Sequence, residues 1–102
     1  MSKINLHGIF PPIPTPFIKD DVAYDELAVN IGKWSKTGLK GLVAIGSNGE
    51  YVYLSAEEKR TFVAKVVELT PDPMQVIAGT GCESTKETID LTRDCADIGA
   101  QA

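Results

Sequence analysis

Three apolar runs recur along this chain, near residues 9–15, 41–46 and 75–80, about every 30 to 35 residues. Each is followed by a loop rich in Gly, Pro, Ser or Thr, and then by an amphipathic stretch. The runs are continuously apolar rather than alternating, so both faces of each strand must be covered. A strand of that kind, followed by a helix at this spacing, is the repeating unit of a parallel sheet. Two architectures use it: an open doubly wound sheet and a closed eight-unit barrel, the latter needing roughly 250 residues. A chain of 102 residues has room for three such units. A three-stranded parallel sheet leaves two long edges bare, and Gly99-Ala100-Gln101-Ala102 reads as the turn after a third helix. The expectation is a truncated α/β fold, the N-terminal three βα units of a longer protein, with a complete small domain as the rival.

The predicted helices span 24–37, 56–70 and 85–98. In the first, Leu27, Ile31 and Trp34 share a stripe and Gly38 is the expected residue just past its end. The second opens at Ser55 with Glu58 three residues later, a capping-box spacing; Phe62, Val63, Val66 and Val67 form its apolar stripe, and Pro71 and Pro73 stop it. The third follows Ser84, with Glu87 three residues on; Ile89, Thr92, Cys95 and Ala96 are its expected inner face. Pro11, Pro12 and Pro14 interrupt the first apolar run, so its strand must be short or irregular.

Composition narrows the function classes. A net charge of −4 with scattered lysines and arginines provides no basic stripe for nucleic acid. No apolar run approaches the roughly 20 residues of a membrane span, and Met1 to Asn5 lacks the apolar core of a signal peptide. Cys82 and Cys95 match no common zinc spacing and make no disulfide framework, so no metal site is expected and a reducing cytoplasmic compartment is. His7 stands alone and reads as a surface residue.

In parallel α/β folds, ligands bind beyond the carboxyl ends of the strands. Three segments hold that position: Thr15-Pro16-Phe17, Gly46 to Glu50, and Gly79 to Glu83. The third reads equally well as a glycine-rich turn. The second is more specific. Ser47 offers a hydroxyl and Asn48 an amide, and Gly46 and Gly49 on either side let backbone approach a ligand. Neutral donors of this kind suit a carboxylate better than a phosphoryl chain. No Gly-Lys-Ser/Thr follows, so it is no Walker motif, and the dinucleotide fingerprint spacing is absent. On residues alone the loop is either an anion cradle or a turn.

The pattern Gly-Leu-Val-x-x-Gly-Ser-Asn-Gly-Glu at 41–50, with Leu54, Ser55 and Glu58 after it, resembles the first signature of the dihydrodipicolinate synthase/N-acetylneuraminate lyase family. Pro14-Thr15-Pro16-Phe17 resembles that family's first strand end. Val76-Ile77-Ala78-Gly79-Thr80-Gly81, with Ser84-Thr85, resembles its third strand and loop. The resemblance spans nearly the whole chain and implies a (β/α)8 barrel of pyruvate-dependent class I aldolases and lyases. It implies that Gly46, Ser47, Asn48 and Gly49 hold the carboxylate of a pyruvyl Schiff base, and that the Ser47 hydroxyl joins a proton relay with a tyrosine. It implies no cofactor, a 2-oxo acid and an aldehyde as partners, and a homotetramer. Many dihydrodipicolinate synthases carry two threonines where this chain has Ser47-Asn48; the Ser-Asn form resembles the 4-hydroxy-2-oxoglutarate aldolase branch.

The implied chemistry suits these residue types. A lysine amine condenses with a 2-oxo acid, and the iminium takes up electrons as a carbon–carbon bond breaks or forms. The carboxylate must be held so that the keto carbon faces the amine. In the family that lysine lies on the sixth strand and the relay tyrosine on the fifth, so the Schiff-base lysine is expected to be absent from this chain, and the chain alone inactive. Tyr51 and Tyr53 are expected in packing or an interface before the site mouth, and Glu50 as a structural acceptor of loop hydrogen bonds before a catalytic acid. Two rivals share the scaffold: a sugar-acid dehydratase, and a non-catalytic carboxylate-binding relative.

Overall fold

The computed structural model describes residues 4–102; Met1 to Lys3, part of the N-terminal segment considered above, lie outside the described residues. A short hairpin, β1 (Phe17–Ile18) and β2 (Asp21–Val22), leads into helix α1 (Tyr24–Trp34). Strand β3 (Gly41–Ala44) follows, then two 3-10 turns, Ser47–Gly49 and Tyr51–Tyr53, and helix α2 (Ala56–Leu69). Strand β4 (Gln75–Ala78) and helix α3 (Thr85–Ile98) complete the order. β3 and β4 pair in parallel, Gly41 opposite Gln75 through Ala44 opposite Ala78. This is the pairing expected of successive βα units.

The 9–15 run is as irregular as its prolines led one to expect. It lies alongside β3 with a single parallel bridge, Pro12 to Val43. Ile13 N–H donates to Val43 O at 3.0 Å, and Val43 N–H donates to Pro11 O at 2.9 Å. Pro11, Pro12 and Pro14 have no N–H to extend the ladder, so the segment holds the place of a strand without forming a regular one. The hairpin was not foreseen; its turn places Lys19 in the left-handed region at φ 57°.

The helices hold their predicted places with one shift. α1 ends at Trp34 and is capped by Ser35 in a right-handed conformation, so Gly38 is not its terminating residue. The Thr37 hydroxyl donates to Trp34 O and helps close that end. In α2 the capping box is present: Ser55 N–H donates to Glu58 Oε1 at 2.8 Å, and Glu58 N–H donates to Ser55 Oγ at 3.1 Å. In α3 the Ser84 hydroxyl accepts from Glu87 N–H. The buried residues of α3 are Leu91 and Cys95, with Ile98 packed against the core. Ile89, Thr92 and Ala96 face outward, a correction to the expected inner face; 91, 95 and 98 recur at helical spacing and form the stripe that packs on the core.

The core lies between the sheet and the helices. Ile13, Leu42, Ala44 and Val76 meet Leu27 and Ile31 of α1, Phe62, Val63 and Val66 of α2, and Leu91 and Cys95 of α3. Burying a side chain such as Phe62 or Leu42, each fully enclosed, contributes about 1.5–3 kcal/mol. Among the described residues no helix is long and apolar enough to cross a membrane. The outer edge of β4 is also less bare than expected. Gln101 N–H donates to Val76 O, Ala78 N–H donates to Ala102 O, and Val76 N–H donates to the Gln101 side chain at 2.8 Å.

Candidate functional site

The three carboxyl-end segments converge. Thr15 is 3% exposed, and its hydroxyl donates to Gly49 O at 2.7 Å. Gly79 N–H donates to Ala44 O at 2.8 Å, extending the β4 pairing past its last strand residue. Gly79 also lies so close to its neighbour that an added Cβ would be 2.5 Å from Ile45 O.

Ile45 itself is the strained residue of the site. It is buried, 1% exposed, and adopts φ 50° immediately after β3. The left-handed region is costly for a β-branched side chain and persists only where surroundings enforce it. The consequence is a sharp redirection of the chain, so that Gly46 opens a 3-10 turn instead of continuing the strand. Gly49 N–H donates to Gly46 O at 3.0 Å and Glu50 N–H to Ser47 O at 3.1 Å. Glu50 then takes φ 57°, and the second turn begins, with Tyr53 N–H donating to Glu50 O.

Ser47 and Asn48 are thereby presented at the surface of the strand end. Both side chains are exposed, and among the described residues neither has a hydrogen-bond partner. Their N–H groups open the turn, where a helix has no internal acceptor for them. A hydroxyl, a carboxamide and two such N–H groups make a set of neutral donors for one carboxylate.

The two glycines differ in role. A Cβ on Gly46 would meet only Val43 Cγ1, at an ordinary 3.9 Å, whereas Gly49 is buried, with Ile13 O and Thr15 Oγ1 both 3.3 Å from where its Cβ would be. Gly49 thus permits close packing of the turn on the first apolar segment. The Glu50 side chain is exposed and accepts no loop hydrogen bond among the described residues, correcting its expected role; its contribution is a left-handed backbone. Tyr51 packs against the core, with Lys59 Nζ 5.4 Å from its ring centroid, while Tyr53 is 77% exposed. In the third loop, Cys82 N–H donates to Thr88 Oγ1, and the Thr80 and Thr92 hydroxyls are 2.8 Å apart, so much of its polarity is spent on the start of α3.

Burial, then the nearby Glu58 carboxylate, pushes the Tyr24 phenol up. Burial, then Asp94, pushes the Cys95 thiol up, against a smaller opposing pull from Arg60. Cys95 is therefore an inert core thiol.

Residues 5–102 match the model of the dihydrodipicolinate synthetase family. The chain belongs to that family. It is 48% identical over 97 residues to the 4-hydroxy-tetrahydrodipicolinate synthase of Methanothrix thermoacetophila, covering 93% of this chain and 32% of the relative. It is similar to a solved dihydrodipicolinate synthase from Acinetobacter baumannii complexed with pyruvate, at 32% identity and TM-score 0.87, covering 94% of this chain and 33% of the other. The 4-hydroxy-tetrahydrodipicolinate synthase of Methylacidiphilum fumariolicum superposes with TM-score 0.91 at 28% identity, over 96% of this chain and 33% of the other. The chain thus spans about a third of the length of the relatives it matches. The family's fold makes these three βα units part of a (β/α)8 barrel, and puts the Gly46–Glu50 turn on the barrel face where that architecture holds its active sites.

The sequence reading located Ser47, Asn48, Gly46 and Gly49 at one strand end, where the structure has them. Thr15 stood in a candidate segment, but its bond to Gly49 and the left-handed backbone of Ile45 were not foreseen. Thr15 carried a signal, a lone hydroxyl residue among prolines and apolar groups at a strand end. Ile45 carried none, since an isoleucine after an apolar run reads as more strand.

Proposed function

We propose that the protein carrying this chain is a class I lyase that forms a lysine Schiff base with pyruvate or a related 2-oxo acid, making or breaking a carbon–carbon bond. In this reading Ser47 and Asn48, flanked by Gly46 and Gly49, hold the 2-oxo acid carboxylate. The Ser47 hydroxyl also passes a proton to or from the new alkoxide, as one member of a relay. Neutral donors hold the carboxylate without a competing buried cation, which leaves the lysine as the single amine near the keto carbon. The lysine and the relay tyrosine are assigned to later strands, so these residues supply the holding half of the site and are inactive alone. A homotetramer in a reducing cytoplasm belongs to the same reading.

The observation that carries it is the pair of free donor side chains at the end of β3, in a chain whose family includes a solved relative complexed with pyruvate. The names of the similar relatives favour condensation of pyruvate with an aldehyde, as in a 4-hydroxy-tetrahydrodipicolinate synthase, over the 4-hydroxy-2-oxoglutarate aldolase branch that Ser47-Asn48 resembles. The test is to incubate the full-length protein with pyruvate, reduce with borohydride, and measure its mass. A gain matching one reduced pyruvyl adduct is expected; no gain refutes the Schiff base and returns the non-catalytic carboxylate binder. With the adduct formed, turnover of a sugar acid by dehydration, without carbon–carbon bond change, would refute the lyase assignment.

A further inference from the structure

We infer that Thr15 is a positioning residue for the proposed carboxylate site, fixing the turn that presents Ser47 and Asn48; the inference rests on the reading above for its ligand. The turn is two exposed residues between two held ends. Its entry is set by Ile45, packed under Gly79. Its exit is Gly49, which is buried and whose carbonyl accepts the Thr15 hydroxyl at 2.7 Å. A carbonyl in such a place needs a partner, because losing one leaves its desolvation uncompensated.

Thr15 shares a side with Ile13, both buried and separated by the exposed Pro14. Its hydroxyl is buried and committed to Gly49 O, so it is assigned no direct contact with substrate. It acts through Gly49. Gly49 carries no Cβ, and one there would crowd Thr15 Oγ1 at 3.3 Å, a few tenths of an ångström tighter than an ordinary contact. Thr15 and Gly49 lie 34 residues apart, so this bond ties the second unit's turn to the first unit's strand end.

The test compares T15V, T15S and the parent in the full-length protein. Valine keeps the shape and removes the donor; serine keeps the donor. Two readouts are taken: borohydride trapping across a pyruvate series, and amide hydrogen exchange. T15V should raise the half-saturating pyruvate concentration about threefold to tenfold, the effect of one neutral hydrogen bond, with the maximal trapping rate unchanged. T15S should return it to within about twofold of the parent on the same scale. Exchange at Gly49, Glu50 and Tyr53 should quicken in T15V by a similar factor, with Val43 and Ile77 unaffected. An unshifted half-saturation, a failure of serine to rescue, or exchange quickening equally in the strands would each overturn the assignment. If the parent itself is not trapped, the Schiff-base reading fails, and loop exchange alone decides whether Thr15 fixes the turn.

Discussion

Gly79→Ala is the sharpest test of how the turn is built. Alanine suits the strand backbone at this position, since Gly79 is not among the positive-φ glycines. The difficulty is room. The new Cβ would stand 2.5 Å from Ile45 O, 3.0 Å from Ile45 C and 3.3 Å from Gly46 N, all backbone atoms. Real Cβ contacts do not fall below 3.0 Å, so the Ile45 carbonyl must retreat by about 0.5 Å. Ile45 has little freedom to comply, being buried and already in the left-handed region. Overpacking of this kind costs about 1–3 kcal/mol. Gly81→Ala is the matched control, since nothing lies within 4 Å of its notional Cβ; a substitution of that kind stays within about 0.5 kcal/mol. Urea unfolding of both variants in the full-length protein would measure the difference, with the midpoint moving and the slope constant. Half-saturation by pyruvate should rise in Gly79→Ala alone. Equal stability of the two variants would refute the claim that Gly79 holds Ile45 in place.

Further expectations follow from the same geometry. Ser47→Ala should lower turnover of the full-length protein by roughly 10²-fold or more if its hydroxyl carries the proton; unchanged turnover in a steady-state assay would leave it a turn residue. Ser55→Ala removes one half of the α2 capping box and should cost about 1 kcal/mol by denaturant titration, with Ser55→Asp largely neutral. Cys82, partly exposed, should react with a thiol reagent well before buried Cys95; equal rates by mass spectrometry would contradict the packing of α3. The raised Cys95 and Tyr24 groups keep their protons longer in the folded chain than in the unfolded one. Their contribution to stability should be intact below the unfolded thiol value of about 8.5 and fall as pH rises past it, and again past about 10 for the phenol. Unfolding midpoints measured from pH 7 to 11 test that sign.

Periodicity made much of the fold legible. Phe62, Val63 and Val66 are spaced for one helical face, and Ser55 with Glu58 marks where that helix starts, so α2 could be read directly. The continuously apolar 41–46 and 75–80 runs likewise indicated parallel strands. What escaped reading depends on neighbours distant in sequence. The 9–15 segment has strand-like side chains but lacks donors, so its pairing could be judged only beside Val43. The side of α3 that faces inward was misassigned because Ile89 and Leu91 are both apolar, and only packing against the other helices chooses between them. At the site, Ser47 and Asn48 were visible by chemical type. The strain at Ile45 and the Thr15 bond were not, because a single residue's φ and a buried hydroxyl's partner are tertiary facts.

The bond between Thr15 and Gly49 spans 34 residues, and Ile45 and Gly79 are equally far apart. A turn held from both sides at such separations cannot be set by local sequence, because loop closure must precede each contact. During synthesis, at about 5–20 residues per second, the Ser47 segment emerges well before Gly79 does. The turn should therefore reach its final pose late, after the strands around it have docked. Substitutions at Thr15 and Gly79 should then hasten unfolding and leave the folding rate nearly untouched. The part of the chain best suited to hold a ligand is, on this account, among the last to take shape and the first to be lost.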